Sequence, residues 1–216
     1  MAYIGRTPTP SALTASDITD GIVSNAKLAQ DIISADTALA VAPDDTDELL
    51  VSNSGVLNRI DYSLIKGGTN TPAFEAKLAS SQTMSDNTNT KIELASETFD
   101  VGGCYDNSTN YRFLPTTAGK YFIYGKARLQ ADQDTDLSQA HLHIYQNGGN
   151  KIESYFLMWV NYVRSVTIHH ATVIDMDGST DYVELYANVD QITGTAPVVI
   201  GGAAGPTLFG AFKLIE

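Results

Sequence analysis

His141 and His143 are the residues whose type and spacing come nearest to metal chemistry in this 216-residue chain. In a strand, positions i and i+2 share a face, so both imidazoles project to one side, where two ring nitrogens suit a cation. No third ligand follows from the sequence, and a strand histidine pair that is hydrogen-bonded or simply exposed is the competing reading. His169 and His170 are adjacent and fall on opposite faces. A second set, Asp132, Asp134 and Asp136, spells D-x-D-x-D, an oxygen-rich spacing of the kind that holds Ca²⁺. The EF-hand template fails, because Leu137 stands at its glycine position and His143 at its bidentate glutamate position. A solvated acidic loop is the competing reading. Cys104 is the only cysteine, which excludes an intrachain disulfide and reads as a small apolar residue rather than a nucleophile. The sequence contains no G-x-S-x-G elbow, phosphate-binding loop or zinc-protease helix. No enzyme and no cofactor is therefore expected, since function must be argued from a site.

Charge excludes further classes. The formal net charge is −12 and no basic cluster appears in the sequence. Phosphate-backbone binding depends on Lys and Arg displacing counterions, so a nucleic-acid role is not expected. Adsorption to an anionic membrane is opposed by the same charge, and no segment reaches the roughly 20 apolar residues of a membrane span. The opening MAYIGRTPTPSALT has no apolar run and does not read as a signal peptide. Synthesis and assembly in a cytoplasm are the expectation.

The elements that must position these residues are strands. From Pro72 onward, alternating or β-rich runs recur in 73–79, 121–129, 141–146, 155–163, 165–174 and 181–189. Gly, Asn, Asp or Pro bounds each run, the pattern of a sandwich or barrel. Before it, residues 46–62 read as a hairpin, with Asn53-Ser54-Gly55 as its turn between apolar runs. Residues 63–66 add a helical turn, and 67–71 form a Gly/Thr/Asn linker. Residues 1–16, rich in Thr, Pro, Ser and Ala, form an extended arm, because Pro8 and Pro10 exclude a continuous helix. Residues 17–66 form a thin neck. Within it Ile22/Ile32, Val23/Ile33 and Ser24/Ser34 echo at ten residues; an amphipathic helix over 24–33 is the competing reading. Only two aromatic residues, Tyr3 and Tyr62, precede Phe74, so the neck lacks material for a core of its own. Three chains wound together would bury its apolar stripe.

Motifs in 72–216 carry a family resemblance. Ala73-Phe74-Glu75-Ala76-Lys77-Leu78 opens the segment, and Leu94, Asp100, Tyr105, Phe113, Gly119 and Tyr121 form a spaced signature. Ile144–Gly148, Asp181–Tyr186 and Phe209–Ala211 follow in order. These resemble the globular head of the C1q family, a ten-stranded jelly roll of the tumour-necrosis-factor superfamily that works as a trimer. Three departures are visible: Leu94 where Phe is usual, one extra residue between Tyr105 and Phe113, and Ile123 for Phe. The resemblance implies an all-β, homotrimeric recognition or capping head over 72–216. It also implies that aromatics such as Tyr121, Tyr145 and Phe209 divide between sandwich core and three-fold interface. Calcium near the apex of some such trimers is the reason to weigh Asp132, Asp134 and Asp136. The family topology implies apical loops at 80–90, 100–107, 130–138, 161–164 and 192–206. It implies basal loops at 115–118, 147–150 and 175–180, with recognition at the apex.

The N-terminus resembles a different group. M-A-Y-I-G-x-x-P, with Tyr3, Ile4 and Pro8, is similar to the start of many virion structural proteins of marine phages, where the first residues dock on the particle. The neck is similar to repeats of phage fibre shafts. The expectation is a homotrimeric virion fibre, assembled in the host cytoplasm. Residues 1–16 then dock on another virion protein, and the knob binds a host-surface glycan or protein. A capsid decoration or head-fibre protein is the alternative within the virion, and a C1q-like ligand-binding protein the alternative outside it.

Overall fold

The computed structural model describes residues 14–19, 38–160, 162–194, 196–203 and 207–214. The chain divides into two compact units, Met1–Lys66 and Gly67–Glu216. Among the described residues there is no α-helix.

In the first unit, β1 (Glu48–Asn53) and β2 (Val56–Asp61) pair antiparallel around a Ser54-Gly55 turn. Arg59 and Glu48 form an ion pair at 2.6 Å. A 3₁₀ turn over Tyr62–Leu64 follows. Leu50, Val56, Leu57 and Leu64 all remain exposed. A two-stranded ribbon this bare is marginal by itself. Residues 20–37, which carry the ten-residue echo, lie outside the described residues.

The second unit is the two-sheet jelly roll that the resemblance implied. The seven-stranded sheet runs β4-β14-β9-β15-β3-β6, with β12 on the other side of β9. Its strands are β3 (Ala73–Lys77), β4 (Gln82–Thr83), β6 (Ser96–Val101), β9 (Gly119–Gln130), β12 (Ser165–Met176), β14 (Val198–Ile200) and β15 (Leu208–Lys213). The six-stranded sheet runs β11-β10-β13-β8-β7, with β5 also on β13. Its strands are β5 (Thr90–Lys91), β7 (Tyr105–Asp106), β8 (Arg112–Phe113), β10 (Leu137–Gln146), β11 (Gly149–Leu157) and β13 (Val183–Gln191). Counting the two-residue strands, the total exceeds the ten expected. First and last strands of the unit are neighbours, Ala73 opposite Phe212.

Alternation sends one side chain in two to the core. Along β9, Tyr121, Ile123, Ala127 and Leu129 are buried, while Phe122, Tyr124, Lys126 and Arg128 are only half-buried. At the basal end, Phe74 stacks on Tyr105 at 4.4 Å and on Phe113 at 4.7 Å, and meets Phe209 edge-on at 5.3 Å. Tyr121 closes on Phe113 at 5.6 Å. Both buried tyrosine hydroxyls are satisfied, Tyr105 donating to Leu94 O and Tyr121 to Thr117 O. The β10–β11 turn is an Asn147-Gly148 pair with positive φ at both residues, which glycine and asparagine adopt at least cost.

Two sequence expectations need correction. The run 155–163 is not one strand: β11 starts early, directly after the Asn147-Gly148 turn, and ends at Leu157. The described residues of the remainder, 158–160 and 162–164, lie outside the strands, with Val163 bridging Leu137. The loop 100–107, expected at the apex, is basal. Ala73 pairs with Val101, so β6 ends beside the start of β3. Asp100 fastens it there by accepting the backbone N–H groups of Cys104 and Tyr105, each at 3.0 Å. The segment between Asp86 and Ala95 contributes only the two-residue β5, and β6 then runs from Ser96 beside Lys77 to Val101 beside Ala73, which leaves the loop after it at the base. Loops around 84–89, 131–136, 158–164 and 192–197 are held together at the opposite, apical end. Asn87 N–H donates to Val189 O there, and Ile192 N–H to Asp136 O.

Candidate recognition surfaces

The two outer faces of the sandwich differ in chemistry. Residues directly opposite one another in a sheet share a face, so the registers of β12, β9, β15, β3 and β6 define its rows. On the outer face of the seven-stranded sheet, the row nearest the base is Val173–Phe122–Phe212–Ala73–Val101. The next is Ala171–Tyr124–Gly210–Glu75–Phe99. Phe122 lies 5.4 Å from Phe212 and 6.1 Å from Tyr124. Phe99, Val101 and Val173 are 42%, 49% and 48% exposed, so this apolar surface is open rather than a second core. Gly210 has to be glycine, because a Cβ there would fall 2.4 Å from the Tyr124 ring. Tyr124 Oη in turn donates to Glu75 Oε2 at 3.2 Å. Burial first, and Glu75 second, push the Tyr124 phenol up to about 12, so it stays protonated. A contiguous exposed aromatic surface of this kind marks an interaction site.

The outer face of the six-stranded sheet is a polar ladder of rings. His141 stacks on Tyr155 at 5.7 Å and on His143 at 5.8 Å. His143 meets Tyr145 at 5.9 Å, and Tyr145 stacks on Tyr186 at 4.1 Å. Lys91 lies over the Tyr186 ring and bonds Glu184 at 2.5 Å. The predicted histidine pair thus shares a face, and Glu153 Oε1 lies 2.6 Å from His141 Nδ1. His143 is 4% exposed, and Glu153 Oε2 stands 3.8 Å from its Nδ1. Neither ring nitrogen of His143 has a hydrogen-bond partner among the described residues. His170 instead points between the sheets, its Nδ1 2.5 Å from Ser154 Oγ.

The burial of His143 and His170 predicts an acid-sensitive head. Burial disfavours the imidazolium of His143, holding its pKa below the ordinary 6.5; Glu153 opposes this and His141 reinforces it. Burial alone lowers His170. The unfolded chain therefore takes up protons first as pH falls below the ordinary histidine value, and stability declines from there towards the folded pKa values. Thermal melts should show a stability plateau above about pH 7 and a falling melting temperature between about pH 6.5 and 5.5, where ordinary carboxylates stay ionised. A flat profile over that window would contradict the assignment.

At the apex the three aspartates diverge. Asp136 is buried, accepting Thr193 N–H at 3.1 Å, Thr193 Oγ1 at 2.9 Å and Gly194 N–H at 3.1 Å. Asp134 pairs with Arg164 at 3.2 Å, and the Asp132 N–H donates to Gln191 Oε1 at 3.0 Å. Among the described residues no three His, Cys, Asp or Glu side chains converge in a way that suits a metal ion. Asp136 ties the loop after β13 to the sheet. Asp136→Ala should cost about 2–3 kcal/mol, the scale of hydrogen bonds to a buried charge; denaturant unfolding measures it. The single tryptophan, Trp159, is 81% exposed on the loop after β11, beside Val160 at 68%.

Of the predicted interface-or-core aromatics, Tyr121 and Phe209 are fully buried in the core, and Tyr145 lies on the ladder. Tyr3, Ile4 and Pro8 lie outside the described residues. Sequence reasoning missed Phe122, Phe212, Phe99 and Trp159. Phe122 and Phe212 were readable as the outward partners of Tyr121 and Ala211 by alternation, once either neighbour is placed inside.

No protein-family model and no curated protein matches the sequence. Among solved structures the chain is similar to Eiger TNF from S. frugiperda at 9% identity and a TM-score of 0.48, covering 67% of this chain and 94% of that one. It is also similar to the globular domain of zebrafish complement 1qA protein, at 12% identity and 0.44, covering 68% and 99%. A third similar structure is murine APRIL at pH 5.0, at 13% identity and 0.47, covering 66% and 99%.

Proposed function

We propose that this chain is a homotrimeric, non-enzymatic recognition protein of a phage virion, associating through the outer face of its seven-stranded sheet. The observation that carries the self-association is the open aromatic surface of Phe122, Phe212, Tyr124, Phe99, Val101 and Val173. A second copy is the partner such a surface suits, because burying each large side chain contributes about 1.5–3 kcal/mol. The bare hairpin of the first unit supports the same reading, since Leu50, Val56 and Leu57 gain cover from other chains. The ladder face and the apical loops with Trp159 then remain outward, as surfaces for a host glycan or protein.

The virion reading is supported by the resemblance of Met1–Pro8 to particle-docking N-termini. Deleting residues 1–16 should leave the oligomer intact in solution and abolish incorporation into particles. Normal incorporation of the truncated chain would remove the docking role, and loss of the oligomer would show that the arm assembles the trimer instead.

A further inference from the structure

The same sheet face changes character one row towards the apex. The third row reads His169–Lys126–Leu208–Lys77 across β12, β9, β15 and β3. Arg128, two residues beyond Lys126, projects on the same side, with Nη2 3.5 Å from Ser165 Oγ. In a chain of net charge −12 this is a local reversal of sign. Among the described residues Lys77 is compensated by Glu75, whereas no carboxylate pairs with Lys126 or Arg128. Glu75, in the neighbouring row, is already engaged by Tyr124 and by Lys77 at 3.7 Å. Neither Lys126 nor Arg128 forms an ion pair among the described residues, whereas Lys66, Lys91 and Arg59 all do. The surface is also hollow here. Tyr124, Gly125, Lys126, His169, Ala171 and Leu208 are among the residues that line a depression of about 440 Å³.

We infer that this depression binds a tetrahedral oxyanion, a phosphate or sulfate group, through Lys126 and His169, with the Tyr124 ring and Leu208 as its apolar walls and Arg128 adding positive charge on the same face beyond its lining. Lys126 and Arg128, two residues apart on one face of β9 and without an ion pair among the described residues, are held at an energetic cost, which a bound anion offsets. The depression is larger than one oxyanion, leaving room for an organic body against Tyr124. All the lining groups come from one protomer, but the depression lies on the sheet face proposed above for association and shares Tyr124 with it. In an assembled trimer it would adjoin the buried aromatic rows and neutralise charge there.

Calorimetric titration of the full chain with inorganic phosphate and with sulfate at low ionic strength tests this, with acetate as the planar, singly charged comparison. Saturable binding of phosphate or sulfate, and weaker or absent binding of acetate, is expected. Whether phosphate or sulfate binds more tightly identifies the preferred group. Lys126→Gln and His169→Gln lie on the outer face and should retain the wild-type circular dichroism; each should weaken binding, Lys126→Gln roughly tenfold or more. Lys151→Gln, an exposed lysine on the other sheet, should leave it unchanged. Absence of saturable binding, equal binding of acetate, or undiminished affinity in Lys126→Gln would overturn the assignment. Mass measured on the same samples records the oligomer separately, so a monomer that binds phosphate and a trimer that does not are distinct results.

Discussion

Phe122→Glu is expected to convert the assembled protein into folded monomers. Phe122 sits at the centre of the basal row, flanked across the strands by Val173 and Phe212. Its side chain projects away from the core, which is formed on that strand by Tyr121 and Ile123. The substitution therefore leaves the sandwich interior untouched and places a carboxylate where another chain would cover it. A buried charge without a partner costs about 3–5 kcal/mol at such a contact, or two to four powers of ten in association. Circular dichroism should be unchanged while the mass falls. A matching substitution on the ladder face, Tyr155→Glu, should not alter the mass, because that face is not the proposed contact. If both substitutions leave the oligomer intact, the sheet face is not its interface.

Phe74→Ala should have the opposite signature, collapsing the fold itself. Phe74 is fully buried and touches three other rings from both sheets, Tyr105, Phe113 and Phe209. Truncation removes both the transfer energy of the ring and its stacking, leaving a cavity that stacked neighbours on paired strands cannot fill. The cost is about 3–5 kcal/mol, a large share of the 5–15 kcal/mol typical of a domain. A melting temperature lowered by about 6–20 °C is expected for a unit of this size. A shift of only a degree or two would show that the basal ring cluster is not the keystone of the sandwich.

Much of this architecture was legible in the chain because its signals are local. The alternation in 121–129 places Tyr121 and Ile123 on one face and Phe122 and Tyr124 on the other, and Asn147-Gly148 specifies its hairpin turn. Direction along the sandwich was less legible. Whether Asp100–Asn107 is apical or basal is decided by the long-range pairing of β6 with β3, not by the residues of the loop itself. The run 155–163 misled for a similar reason: its residues are apolar enough for a strand, yet Trp159 and Val160 turn out into solvent. The aspartate triplet shows the limit of spacing as evidence. D-x-D-x-D is compatible with an ion, but Asp136 is taken by Thr193 and Gly194 and Asp134 by Arg164, partners more than 25 residues away in sequence. The outward aromatic face was hidden by a simple ambiguity. Tyr121 and Phe122 are both aromatic, and only the register with β15 tells which of them looks outward.

The aromatic sheet face and the bare hairpin of the first unit are proposed to be covered by other copies of the same chain. Mass in solution, measured on the 216-residue chain by light scattering, tests this most directly. A single species of three times the 23.2 kDa chain mass is expected, persisting on dilution. A stable, soluble species at the mass of one chain would contradict it.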